Sequence, residues 1–308
     1  MSHGVRALRC VGRNTADLDR AIAFHRDALG FRIDAVPAAP PARARWPTLR
    51  APPTRCARLS LGAQCIELTE FPGGKPYPPG STSSDLWFQH FAIVVRDMHA
   101  AHRRALQHGA VPITRGGPQL LPPATGSVTA WKFRDPDGHP LELIGFPSGT
   151  GDPAWQATQA PGPALGIDHS AISVADIARS IGFYRLLGLH VAARGVNRGV
   201  RQQRLDDLDD VEVDVIAMQG PARTPHLELL GYRRPRGRAD PPVDPGAIAA
   251  DRLVWQAAAI DVLLDALADA GYPDALTADG RADGAFEVLL RDPDGHLLGL
   301  RETAPGAS

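Results

Sequence analysis

Cysteine is scarce. The chain has only Cys10, Cys56 and Cys65, too few and too irregularly spaced for a disulfide framework, so reduced thiols are expected. No CxxC zinc pattern occurs. Neither sign of charge is in excess, because 33 basic residues face 34 acidic ones and leave a net charge of -1. That balance supplies no global attraction to nucleic acid or to an anionic membrane, and favours a small molecule or a protein as partner. Long apolar runs are missing as well. No stretch approaches the length of a membrane span, and the opening MSHGVRALRCVG lacks the apolar run and small-residue cleavage site of a leader. A cytoplasmic location is the resulting expectation. What is present is enough apolar material, 44% of 308 residues, to bury a sizeable core, and that length favours two domains over one.

The sequence repeats itself. FRDPDGHPLELIGF, Phe133 to Phe146, recurs near the C-terminus as LLRDPDGHLLGLRE, an offset of roughly 160 residues. Three more pairs share that offset in the same order. TADLDRAIAFHRDALGF, ending at Phe31, matches VADIARSIGFYRLLGL, ending at Leu189; CIELTEF from Cys65 matches HLELLGY from His226. RDMHAAHRRALQHGAVP matches IDVLLDALADAGYP, ending at Pro273. Four ordered matches indicate duplication of a whole domain. Periodicity disappears in the Gly- and Pro-rich stretch Phe146 to Gly166, which places a domain at 1–148, a linker at 149–164 and a second domain at 165–308.

Each half is itself bipartite. Leu8 to Thr15 reads as a strand; Leu18, Ala21, Ile22 and Leu29 then recur at helical spacing until Gly30. FRIDAV alternates as a strand, and RLSLGAQCIELTEF reads as two strands turning at Leu61-Gly62-Ala63, giving βαβββ. FQHFAIVV, the helix through Leu106, WKFRD and PLELIGF repeat the plan, with Asp135-Pro136-Asp137-Gly138 as a hairpin device.

The strings DLDRAIAFxRDxLGF, xIELTEF, the strand opened by His90, and RDPDGHPLELxxF resemble the vicinal oxygen chelate superfamily, over about residues 5–147 and 165–303. Glyoxalase I, extradiol dioxygenases, fosfomycin-resistance enzymes and bleomycin-binding proteins belong to it. The resemblance implies an α+β fold in which four βαβββ modules pair into two cup-shaped barrels. It also implies one divalent cation (zinc, nickel, iron or manganese), held by residues of the first and last strands of the modules. In the first half those positions are Cys10, Glu67, His90 and Glu142, with Cys10 a soft thiol where relatives carry His or Gln. In the second half His169 and Glu228 match, but Gly299 stands where the first half has Glu142. The remaining position is Arg252 or Ala257 according to the alignment, and Gln256 only after a one-residue slip. An Arg there would replace the cation with its own charge. The expected centre is therefore Glu67, His90 and Glu142, with a degenerate second cup.

Three readings suit such a protein. The first is a glyoxalase-like lyase or isomerase, in which Glu142 moves a proton beside a metal-polarised carbonyl. The second is a ring-cleaving dioxygenase, whose pattern needs two His and one Glu in the C-terminal half, where only His169 survives. The third is a metal-free binding or resistance protein whose walls are Trp87, Phe88, Trp131, Trp255 and Tyr232. Arg194, Arg198, Arg201 and Arg204 form a cluster suited to an anionic substrate or to a strand edge, and Arg201 and Trp131 are the substrate-contact candidates. His25, His139 and His296 read as packing or turn residues. With four modules on one chain, internal pairing can replace a homodimer, so monomer and dimer both stand.

Overall fold

The computed structural model of the protein describes residues 4–36, 53–157, 162–239, 244–282 and 285–302. The first quarter runs β1 (Val5–Thr15), α1 (Leu18–Asp27), β2 (Arg32–Ala35), β3 (Cys56–Leu61) and β4 (Gln64–Glu70). The second runs β5 (Gln89–Val95), α2 (Met98–Gln107), β6 (Val111–Pro112), β7 (Gln119–Leu120), β8 (Thr129–Arg134) and β9 (Pro140–Gly145). A one-turn helix, α3 (Pro153–Ala157), sits in the connector. The third quarter runs β10 (Ala164–Ser173), α4 (Ile177–Leu186), β11 (His190–Arg198), α5 (Val200–Asp206), β12 (Glu212–Gln219) and β13 (His226–Arg234). The fourth runs β14 (Arg252–Ala257), α6 (Ile260–Asp269), β15 (Leu276–Ala282), β16 (Ala285–Arg291) and β17 (Leu297–Glu302).

Local chemistry starts the helices. Asp17, Asp97 and Asp176 each accept a hydrogen bond from a backbone N–H in the first turn of α1, α2 and α4, which satisfies donors that have no intrahelical partner. Each Asp sits between an extended strand and an apolar helix face, so the strand-to-helix switch is written into the sequence.

The sheets do not respect the halves. One has the order β15-β16-β17-β14-β1-β4-β3-β2, the other β11-β12-β13-β10-β5-β9-β8-β6. Quarters one and four thus share a cup, as do quarters two and three, joined by the antiparallel pairs β1–β14 and β5–β10. The expectation that each cup is built within 1–148 or 165–308 is corrected accordingly. What stays within a half is the docking of its DPDG turn. Asp137 accepts from the Thr15 hydroxyl and from Arg20, and His139 Nε2 lies 2.6 Å from the Asn14 carbonyl. In the second half Asp294 accepts from the Ala175 N–H, Asp292 from the Tyr184 hydroxyl, and His296 Nε2 meets the Ser173 carbonyl. The turn is therefore also the clamp between neighbouring modules.

Strand alternation distributes the side chains. Leu8, Val11, Phe91, Ile93, Ile167, Leu253 and Trp255 all enter one large core shared by both sheets. Their neighbours Cys10, His90, Ala92 and Val254 turn to the opposite faces, into the two cups. His25 is a packing residue: burial brings its pKa down to about 4 while Nδ1 meets the Ala21 carbonyl. Among the described residues no helix is long and apolar enough to cross a membrane.

Candidate metal centre

The cup of quarters two and three encloses a cavity of about 390 Å³. Its polar wall is assembled from four strands. His90 on β5 and His169 on β10 come from adjacent antiparallel strands, and Glu142 on β9 and Glu228 on β13 flank them. The register makes the set pseudo-symmetric: His90 lies opposite Ala171, which pairs with Glu228, and His169 lies opposite Ala92, which pairs with Glu142. His90 Nε2 is 2.9 Å from Glu142 Oε2; His169 Nε2 is 3.7 Å from the same oxygen and 3.6 Å from Glu228 Oε2. Donor atoms of His90, Glu142 and His169 all lie within 4.8 Å of one another. Two imidazole nitrogens and two carboxylates converging in a buried wall form a donor set that fits a borderline divalent cation.

Electrostatics shows how tightly these groups are coupled. Burial would push the Glu142 carboxyl up, but His169, His90 and Lys132 hold it well below the usual carboxylate range. Glu228 is likewise opposed by burial yet brought to about 2 by His169 and His226. Burial lowers His90. It also works against charge on His169, where the Glu228, Asp168 and Glu142 carboxylates prevail and raise the imidazole well above its ordinary value.

The expected centre is redistributed between the cups. His90 and Glu142 are joined by His169 and Glu228 from the other half, while Glu67 lies in the opposite sheet. There Arg301 grips it with two hydrogen bonds, of 2.6 and 2.5 Å. Cys10 is no free thiol: it forms a disulfide with Cys65, its register partner on parallel β4. The sequence spacing of 55 concealed this pairing, since only sheet register puts the two Cα atoms 4.8 Å apart.

That second cup carries Cys10, Glu67, Arg252 and Gly299 at the places of His169, Glu228, His90 and Glu142. Arg252 faces Gly12, which pairs with Glu67, and Cys10 faces Val254, which pairs with Gly299. Arg252 is thus the residue at the ambiguous position, and Gln256 sits one strand from Arg301, away from His169. The Arg252 guanidinium donates to Asn14 and Thr69. It fills the space over Gly12 so closely that a Cβ there would come within 2.8 Å of it. This cup holds its positive charge covalently.

Several candidates fall away from the cavity. Trp131 is fully buried on the far face of β8, stacked on Phe133 and capped by His102. Arg201 projects from α5 to Gln119 outside the cavity lining. Of the five proposed aromatic walls only Tyr232 lines it, and of the four arginines only Arg194.

Four lining or supporting residues escaped sequence reading: Lys132, Asp168, Asp206 and His226. Lys132 faces the cavity beside its strand partner Glu142, and its ammonium donates to buried Asp206 at 2.7 Å. Asp206 also accepts from Gln202 and the Tyr232 hydroxyl. Lys132 could have been found by parity, because it alternates with Trp131 and Phe133 on a strand next to Glu142. Asp168 could not, since alternation puts it on the wrong face.

Comparison with known proteins agrees with this architecture. The chain belongs to the Glyoxalase/Bleomycin resistance protein/Dioxygenase superfamily, whose family model matches residues 7–143 and again 166–300. Glyoxalase I from Zea mays is similar in structure, with a TM-score of 0.61 at 20% identity, covering 96% of this chain and 92% of the maize one. A single-substitution variant of that enzyme gives a TM-score of 0.65. A putative dioxygenase from Bacillus subtilis strain 168 also gives 0.61, at 14% identity, over 99% of this chain and 87% of its own. At such identities the likeness is one of fold. No curated protein matches the chain in sequence.

Proposed function

We propose that this chain is a metal-dependent enzyme of glyoxalase-like lyase or isomerase type, acting on a small oxygenated molecule in the cup of quarters two and three. The observation that carries the reading is the convergence of His90, Glu142, His169 and Glu228 on one wall of this cavity. A divalent cation bound there would supply Lewis acidity to a carbonyl and its vicinal oxygen. The chain's own groups do the rest. Leu121, Val128, Ile144, Phe146, Val213 and Leu230 give the cavity apolar sides that exclude water.

Glu228 is the proposed proton carrier, taking the role that the sequence assigned to Glu142. Glu142 is held at hydrogen-bonding distance by His90 and is only 8% exposed; Glu228 is 22% exposed, with its contacts to His169 and His226 at 3.6 Å. The less tethered carboxylate is the one able to leave and return with a proton.

A ring-cleaving dioxygenase is the second reading, because two His with one carboxylate make an iron(II) facial triad. Four donors where three suffice favour the non-redox reaction. The test is metal analysis of untagged protein after reconstitution, followed by incubation with α-oxoaldehyde thiol adducts and vicinal diols in D₂O. About one metal equivalent per chain and metal-dependent deuterium incorporation next to the carbonyl, lost in Glu228→Gln, is the expected result. Metal-dependent oxygen uptake with a diol would replace this reading by the dioxygenase. Absence of bound metal in every sample would refute both.

A further inference from the structure

The two histidines of the pseudo-symmetric wall are not supported alike. His90 Nδ1 is buried with no hydrogen-bond partner. His169 Nδ1 instead lies 3.0 Å from the Asp168 carboxylate, and the other Asp168 oxygen accepts from the Trp155 indole N–H at 2.9 Å. Side-chain exposures of 6% and 9% for His169 and Asp168 mean that water does not screen the contact.

Successive residues of a strand ordinarily face opposite ways, so Asp168 should point away from the cup. It lines the cavity because β10 bulges there: Ile167 pairs with Ile93, and His169 already with Ala92. The same irregularity recurs in β1 between Leu8 and Cys10, where the extra residue is Arg9. The bulge therefore belongs to both cups, and only the one in β10 turns a carboxylate onto a histidine. Trp155 reaches Asp168 from α3, in the connector between the halves. Gly166 makes the approach feasible, as a Cβ there would lie 2.7 Å from the indole ring.

We infer that Asp168 is a positioning residue for the metal centre and that the connector, through Trp155, forms part of its outer shell. This rests on the metal reading above. By accepting the Nδ1–H of His169, the carboxylate leaves the Nε2 lone pair directed toward Glu142 and Glu228, where a cation would be held. Trp155 occupies the second oxygen and stops the carboxylate from rotating away. An amide in place of Asp168 satisfies both donors poorly. With its oxygen kept by Trp155, its NH₂ faces Nδ1 and selects the tautomer whose Nε2 carries the hydrogen.

The test is zinc(II) affinity by competition with a chromophoric chelator, together with the visible spectrum of the cobalt(II)-loaded protein. Asp168→Asn is expected to weaken zinc about 10–100-fold, as loss of an outer-shell partner does, and to alter the cobalt spectrum. Thermal melting of the metal-free variant monitors its folding. Trp155→Phe keeps the ring packed and removes only the donor, so it is expected to weaken zinc by a smaller factor and serves if Asp168→Asn does not fold. Wild-type affinity and spectrum in these variants, with metal still lost in His169→Ala, would overturn the positioning role and leave the metal centre standing. No zinc binding by the wild-type protein would overturn the metal reading, and the role of Asp168 with it.

Discussion

Replacing Glu67 by Ala should leave the metal in place, whereas His169→Ala should expel it. Sequence alignment alone gives the opposite expectation for Glu67, so the pair separates the two assignments. The structural cost of Glu67→Ala follows from what it leaves behind. Arg301 loses two charge-assisted hydrogen bonds, but it retains Glu287 at 2.5 Å, and its side chain keeps 26% of its exposure for water to enter. A partly shielded two-pronged pair of this kind contributes about 2 kcal/mol, discounted for the access of solvent. For domains of this size that corresponds to a fall in Tm of roughly 4–8 °C. His169→Ala removes an imidazole from the cation itself. Its effect should exceed the roughly 10–100-fold loss of affinity that follows removal of an outer-shell partner. Metal content after gel filtration and differential scanning fluorimetry with and without added zinc read both effects. Loss of the metal equivalent in Glu67→Ala, or its retention in His169→Ala, would refute the assignment of the centre to the cup of quarters two and three.

Two further outcomes follow from the same geometry. Lys132→Met leaves Asp206, which is fully buried, with hydrogen bonds from Gln202 and Tyr232 but no countercharge, and should cost about 3–5 kcal/mol in urea denaturation; a change below about 1 kcal/mol would refute the account of that pair. The raised pKa of His169 gives metal affinity and metal-free stability opposite pH dependences. Its extra stability in the metal-free protein is complete below the ordinary histidine pKa and is lost as pH rises through the folded value. Metal binding must displace the same proton, so affinity should climb about tenfold per pH unit over that window and then level off, as calorimetry in buffers of different ionisation enthalpy would show. Affinity independent of pH there would contradict a charged His169.

Sequence alone determined what depends on neighbours along the chain. The βαβββ modules follow from hydrophobic periods of 3.6 and 2, and the helix starts from Asp17, Asp97 and Asp176. Strand parity likewise sets His90, Glu142, His169 and Glu228 on inward faces, residue by residue. Tertiary structure decided how those faces are combined. Whether β1 pairs with β5 or β14 depends on contacts across the whole chain, and that choice sends Glu67 to Arg301 and unites residues of two halves around one cavity. Register also decided the Cys10–Cys65 disulfide, and a single bulge decided the direction of Asp168. A bulge adds one residue without changing any apolar pattern, so it leaves no trace in periodicity and becomes visible only when the opposite strand is in place.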